Sequence, residues 1–169
     1  MRIVPCGVDK DRLALEIAAI PLVRMQDGSG SSHMGGPEGW IHGLSMTRVG
    51  LRGHPLIDRA ILALRQYESR YHEGLGKIVQ VMVNKLEPGA LLDKHRDGEP
   101  DNARYHLPVW THPDVYWWDE YNGHFHMEEG KWYGPMPYCG VLHSVGNPSP
   151  VERVHVIVDF ERVPHATHV

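Results

Sequence analysis

An antiparallel β-sandwich or barrel with two helices packed outside it is the fold this sequence predicts, on three observations. The second half of the chain carries several short segments rich in Val, Tyr and Trp, punctuated by Gly, Pro and Asn. No helical pattern separates those segments, which argues against a parallel α/β sheet. Two helical patterns stand ahead of them. At 169 residues the chain has room for one hydrophobic core, so a single domain over 1–169 is expected.

The first helix is expected where Asp9 or Asp11 caps a segment with Leu13, Leu15, Ile17, Ala18 and Ile20 apolar, and Pro21 stops it. A Gly/Ser-rich stretch over 27–37 follows; its composition suits a surface loop, and residues 28–37 are candidates for a lid. Pro55 then suits a first helical position, and Ile57, Ala60, Ile61, Leu64 and Tyr71 recur at helical spacing until Gly74 and Gly76 end the run. From Lys77 the period becomes two. Val79, Val81 and Val83 alternate with Gln80, Met82 and Asn84 in a strand before Leu86-Glu87-Pro88-Gly89, which reads as a turn. Further strands fit 104–110, 116–118, 124–127, 141–145 and 153–160.

The parity of the polar residues carries more information than the strands themselves. Arg104 and His106 share one side of their strand, while Tyr105, Leu107 and Val109 share the other. Arg153 and His155 likewise oppose Val154, Val156, Val158 and Phe160. A solvated face more often uses Lys, Glu, Thr and Ser, so paired Arg and His predict a cavity inside the barrel. The apolar sides would then pack under the helices.

Thirteen histidines are many for this length, and imidazole is a common ligand for transition metals. In Leu91-Leu92-Asp93-Lys94-His95-Arg96-Asp97, extended backbone sends His95 and Asp97 to one side. His143, after 45 intervening residues, is the candidate third ligand in a late strand. Two histidines and a carboxylate form a facial triad that binds Fe(II) and leaves positions open for oxygen chemistry. Arg153, ten residues beyond His143, could grip a dicarboxylate cosubstrate in two parallel charge-assisted bonds. An exposed Arg153 pairing with Glu152 or Glu161 is the ordinary alternative.

His95-Arg96-Asp97, the strand Arg104-Tyr105-His106-Leu107-Pro108-Val109, Gly130-Lys131-Trp132-Tyr133, His143-Ser144-Val145-Gly146-Asn147 and Arg153-Val154-His155-Val156-Ile157-Val158-Asp159 follow one another in an order that resembles the aspartyl/asparaginyl β-hydroxylase family over about 77–162. The resemblance implies a double-stranded β-helix, a mainly β jelly roll of cupin-like type with flanking helices. It also implies an Fe(II)- and 2-oxoglutarate-dependent dioxygenase, an oxidoreductase that hydroxylates an aliphatic carbon of an amino acid, free or in a polypeptide. By position, His95, Asp97 and His143 would bind iron, Arg153 would bind the far carboxylate of 2-oxoglutarate, and His106 and Arg104 would line the cosubstrate or substrate pocket. Some family members lack the carboxylate ligand, whereas Asp97 completes the triad here. Trp110, Tyr116, Trp117, Trp118 and Tyr121 offer material for a substrate wall or for packing.

Two other readings compete. His124 and His126, with His143 downstream, loosely resemble the metal motif of non-oxygenase cupins, in which case His95 and Asp97 would be surface residues. Alternatively, a non-catalytic jelly roll would bind a partner through its aromatic segment.

Composition bounds the rest. Seventeen basic against 21 acidic residues give a net charge of -4 and a pI near 6.3, so nucleic acid and anionic membrane are not expected partners. Cys6 and Cys139 are too few for a disulfide framework, and no signal peptide or 18-residue apolar run is visible; a soluble, cytoplasmic protein is expected. No P-loop, G-x-S-x-G or zinc-type Cys/His cluster is present.

Overall fold

Two amphipathic helices cover one side of a curled antiparallel sheet. The computed structural model describes residues 1–25, 41–50, 53–72, 74–96, 102–136 and 140–162. The lid candidate 28–37, Asp97 and Cys139 lie outside the described residues. Helix α1 (Lys10–Ala18) begins at Asp9, whose carboxylate accepts from the Arg12 backbone N–H at 2.9 Å. It buries Leu13, Ala14 and Ile17, leaving Leu15 in solvent. Helix α2 (Pro55–Tyr71) starts on the proline and turns Ile57, Ala60, Ile61, Leu64 and Glu68 inward. Its cap residue His54 makes no side-chain cap bond; Glu16 of α1 instead accepts from the N–H groups of Leu56 and Ile57 at 3.0 Å. An anion from one helix thereby satisfies the unpaired donors of the other.

The strands are β1 (Arg2–Pro5), β2 (Val23–Arg24), β3 (Ile41–Arg48), β4 (Ile78–His95), β5 (Asn102–Trp110), β6 (Tyr116–Asp119), β7 (Gly123–Phe125), β8 (Lys131–Met136), β9 (His143–Gly146) and β10 (Arg153–Glu161). They pair in the order β1-β8-β5-β10-β4-β9-β6-β7, with β3 also on β4 and β2 on β3. Val81 and Val83 of β4, Tyr105, Leu107 and Val109 of β5, and Val154, Val156, Val158 and Phe160 of β10 form one core with the helices. A second cluster, with Leu44, Leu86, Trp117, Tyr133 and Val145, lies between the two halves of the curl. The parity expected from the sequence therefore holds on three adjacent strands.

The expected turn at 86–89 is not a reversal. β4 runs for 18 residues through it, pairing with β10 up to Leu86 and with β9 from Leu91. Pro88 and Gly89 bend the strand where it passes from one half of the curl to the other; Gly89 has φ +76°. Buried Asn147 fastens the bend, its Nδ2 donating to the carbonyls of Leu86, Glu87 and Val151. Strands β1, β3 and β8 were not legible as strands from their residues.

Candidate active site

Six strands of the curl, β6 among them through Trp117, turn residues into one cavity of about 560 Å³. β3 contributes Leu44, Met46 and Arg48; β4 contributes Gln80, Met82, Asn84 and Leu86, then Leu92 and His95. β5 adds Arg104 and His106, β9 adds His143 and Val145, and β10 adds Arg153 and Ile157. Five of the six sequence-predicted site residues, His95, His143, Arg153, His106 and Arg104, thus share this wall.

A bulge aims His95. Leu92 pairs with Val145 but His95 pairs with His143, so β4 spends one residue more than β9 over this interval. Without it, Leu92 and His95 would point to opposite faces; with it both face the cavity. The two imidazoles sit 4.3 Å apart between ring centroids, and both residues are buried. Nδ1 of His95 lies 2.6 Å from the Asp93 carbonyl, and Nδ1 of His143 lies 2.9 Å from the Val141 carbonyl. An acceptor at Nδ1 fixes the proton there and makes Nε2 the nitrogen that binds a metal.

Trp117 supports the pair. Its ring stacks on His143 at 4.8 Å and 5°, and meets His106 edge-on at 5.3 Å. The fully buried Asp119 accepts from Trp117 Nε1 at 3.3 Å and from the backbone N–H groups of Tyr121 and Asn122, anchoring both the indole and the β6–β7 turn. Of the five aromatics proposed as a wall, only Trp117 lines the cavity among the described residues. Tyr116 and Trp118 alternate with it on the opposite face, and Tyr121 is exposed.

The cavity's electrostatics are dominated by buried cationic and imidazole groups. Arg153 is 3% exposed and has no acidic partner among the described residues; burial pulls its pKa down to about 9. Its Nη2 donates to His155 Nδ1 at 2.7 Å, while its Nε has no protein partner among the described residues. Neither ring nitrogen of His106 has such a partner. Burial, then the charges of Arg153 and Arg104, hold His106 well below the usual imidazole range. Arg104 is arranged differently, with Nε and Nη2 on Asp159 at 2.7 and 2.8 Å; Asp159 also accepts from Gln80. Arg48 stands exposed on the cavity's rim.

Buried polar atoms without protein partners, around an unpaired guanidinium, are what a polar anionic ligand would satisfy. Two imidazoles with oriented Nδ1 protons fit a ferrous ion. Among the described residues no third His, Cys, Asp or Glu joins them. The cupin-type alternative finds less support. His124 pairs with Trp118 and shares its outward face, and His126 is held by the Val115 carbonyl at 2.9 Å; neither lines the cavity. Sequence reasoning missed Trp117 as the histidine's stacking partner and Asn84 as a member of the polar lining; His155, expected on the cavity side with Arg153, is buried beside Arg153 but does not line the cavity. The alternation of Gln80, Met82 and Asn84 with Val79, Val81 and Val83 was the available signal for Asn84.

Comparison with solved structures shows the fold. The viral collagen prolyl hydroxylase of Paramecium Bursaria Chlorella virus-1, in its 2-oxoglutarate complex, is 15% identical, with 96% of each chain covered and a TM-score of 0.64. A prolyl-4-hydroxylase of Pseudomonas putida gives 16% identity over 96% of this chain and 92% of that one, TM-score 0.64. A Trichoplax adhaerens prolyl hydroxylase, complexed with a hypoxia inducible factor peptide fragment, gives 12% identity, coverage of 95% and 82%, and TM-score 0.66. At such identities the likeness is one of architecture, the cupin-like jelly roll. No curated protein matches the chain by sequence. No helix among the described residues is long and apolar enough to cross a membrane. The profile of the aspartyl/asparaginyl beta-hydroxylase family matches residues 63–163. With that match over more than half its length, the chain belongs to the aspartyl/asparaginyl β-hydroxylase family and is a 2-oxoglutarate-dependent Fe(II) hydroxylase.

Proposed function

We propose that His95, Asp97 and His143 hold the ferrous ion and that Arg153 grips the far carboxylate of 2-oxoglutarate. The substrate in this reading is an amino-acid side chain, free or within a polypeptide. The observation that carries it is Arg153, a buried cation without an acidic partner among the described residues, in the same wall as two paired histidines. A guanidinium in that state is stabilised by a carboxylate that reaches it with two parallel hydrogen bonds.

A ferrous ion held there would let O2 act as the oxidant of two substrates together, 2-oxoglutarate being decarboxylated to succinate and CO2 and a C–H bond becoming C–OH, with one oxygen atom entering each product. The chain's own residues bind, orient and exclude water. His95 and His143 offer Nε2 while two backbone carbonyls hold their Nδ1 protons, and Trp117 keeps the His143 ring from turning. His106, neutral and without protein partners among the described residues, donates one N–H to a cosubstrate carboxylate. Leu44, Leu86, Val145 and Ile157 supply apolar surface to the cavity. Arg48 on the rim meets the carboxylate of an incoming amino-acid or peptide substrate.

Anaerobic addition of Fe(II) and then 2-oxoglutarate tests the assignment through the weak visible charge-transfer band of the chelate. Folded protein with no such band, and no 2-oxoglutarate turnover in air, overturns it. Asp97→Ala is expected to abolish iron binding while His124→Ala and His126→Ala leave it intact; the reverse pattern moves the metal to the second histidine pair.

A further inference from the structure

Next to Arg153 stands a second buried polar residue, His155, which does not itself line the cavity and which no ligand role has absorbed. Arg153 and His155 are neighbours on the inward face of β10, opposite Leu86 and Asn84 of β4. Both are almost fully buried. The only hydrogen bond of the Arg153 side chain among the described residues runs from Nη2 to His155 Nδ1, at 2.7 Å. An acceptor at Nδ1 requires a neutral ring with its proton on Nε2, the opposite tautomer from the one His95 and His143 adopt. His155 also meets the His106 ring edge-on at 5.8 Å, which limits where either imidazole can turn.

From this geometry we infer that His155 is a positioning residue for Arg153, locking the guanidinium in the orientation that receives the far carboxylate of the cosubstrate. An arginine side chain carries about 2 kcal/mol of rotamer entropy, and a single fixed acceptor at one end of the guanidinium removes most of the alternatives before the ligand arrives. Nη2 is tied back, so the remaining edge of the planar group is presented to the cavity. A lysine or acid at 155 would not serve: the first has no acceptor and the second would neutralise the charge the ligand needs. Burial, and then the Arg153 charge, keep His155 well below the usual imidazole range, so it remains an acceptor.

The inference rests on the proposed role of Arg153, and the test separates the two. The dissociation constant of 2-oxoglutarate is read anaerobically from the chelate absorption of the Fe(II)-loaded protein. His155→Leu is expected to weaken it about tenfold, in line with losing a hydrogen bond to a charged group, with Fe(II) affinity unchanged. His155→Asn, whose side-chain oxygen falls where Nδ1 was, is expected to restore affinity to within about threefold; His155→Gln, which replaces the other nitrogen, is not. If Arg153→Ala loses cosubstrate affinity while His155→Leu keeps it, His155 has no positioning role although the site assignment stands. If Arg153→Ala keeps affinity, the site assignment itself falls. Should His155→Leu fail to fold, the nitrogen-15 spectrum of the histidines in the unaltered protein decides: an unprotonated Nδ1 and protonated Nε2 at His155 support the inference, and a proton on Nδ1 overturns it.

Discussion

Replacing Arg153 with Met is expected to stabilise the protein while impairing it. Burial pulls the pKa of Arg153 from the ordinary guanidinium range down to about 9, which corresponds to roughly 5 kcal/mol against the charged form. The hydrogen bond to His155 returns about 1.5–3 kcal/mol, leaving the fold to carry a net cost of about 2–3.5 kcal/mol. Methionine has similar length without charge, so the iron-loaded Arg153→Met variant without 2-oxoglutarate gains up to about 2 kcal/mol, or roughly 4–8 °C in Tm for a chain of this size. Addition of 2-oxoglutarate at about 100 times its Kd stabilises the unaltered protein by about 2.7 kcal/mol. If Arg153→Met binds the cosubstrate about a hundredfold more weakly, the same concentration adds only about 0.4 kcal/mol. Anaerobic thermal melts with and without 2-oxoglutarate measure both quantities. A variant less stable than its parent in the absence of 2-oxoglutarate, or one that gains as much from it, refutes the reasoning.

Acid offers a second measurement. His106 and His155 are held neutral, with pKa values well below the ordinary imidazole value of 6.5. A depressed pKa means the unfolded chain takes up the proton first, so this stability is present above about pH 6.5 and is lost as pH falls below it. Urea unfolding is expected to show a slope from these two groups approaching about 2.7 kcal/mol per pH unit, and His155→Asn is expected to halve it; an unchanged slope shows that His155 does not titrate in this way. Gly134 is a packing test. A Cβ there would lie 2.4 Å from the Tyr105 ring and 2.8 Å from the Arg104 carbonyl, in a strand interior that cannot shift cheaply. Gly134→Ala is expected to destabilise the protein by about 1–3 kcal/mol, and a neutral result means that β5 and β8 have slack.

The inward and outward faces of β5 and β10 were legible because alternation is a property of adjacent residues. Arg104 with His106, and Arg153 with His155, could be assigned to one side without knowing any partner strand. The helices were legible for a similar reason, since Asp9, Pro55 and the apolar spacing act locally. What escaped was anything decided by a partner. The Pro88–Gly89 bend reads as a turn in isolation, and only Asn147, holding three carbonyls from a distant loop, makes it a bend within one strand. The extra residue between Leu92 and His95 is defined solely by counting along β9. β3 conceals its period because Gly43 falls at the bulge between His42 and Leu44. Trp117 was grouped with its neighbours for its chemistry, although three consecutive aromatics on a strand cannot all face one way.

The length of β4 has a mechanical consequence. Because β4 runs through the bend as one strand and β3 pairs with it on both sides, at Leu91–Leu92 and again from Leu86 back to Met82, the two halves of the curl are joined by continuous backbone and do not part like the shells of a clam. Widening the chamber would require breaking interstrand bonds on either side of the kink. Traffic of small molecules is therefore expected by way of exposed Arg48 and not by a parting of the sheet.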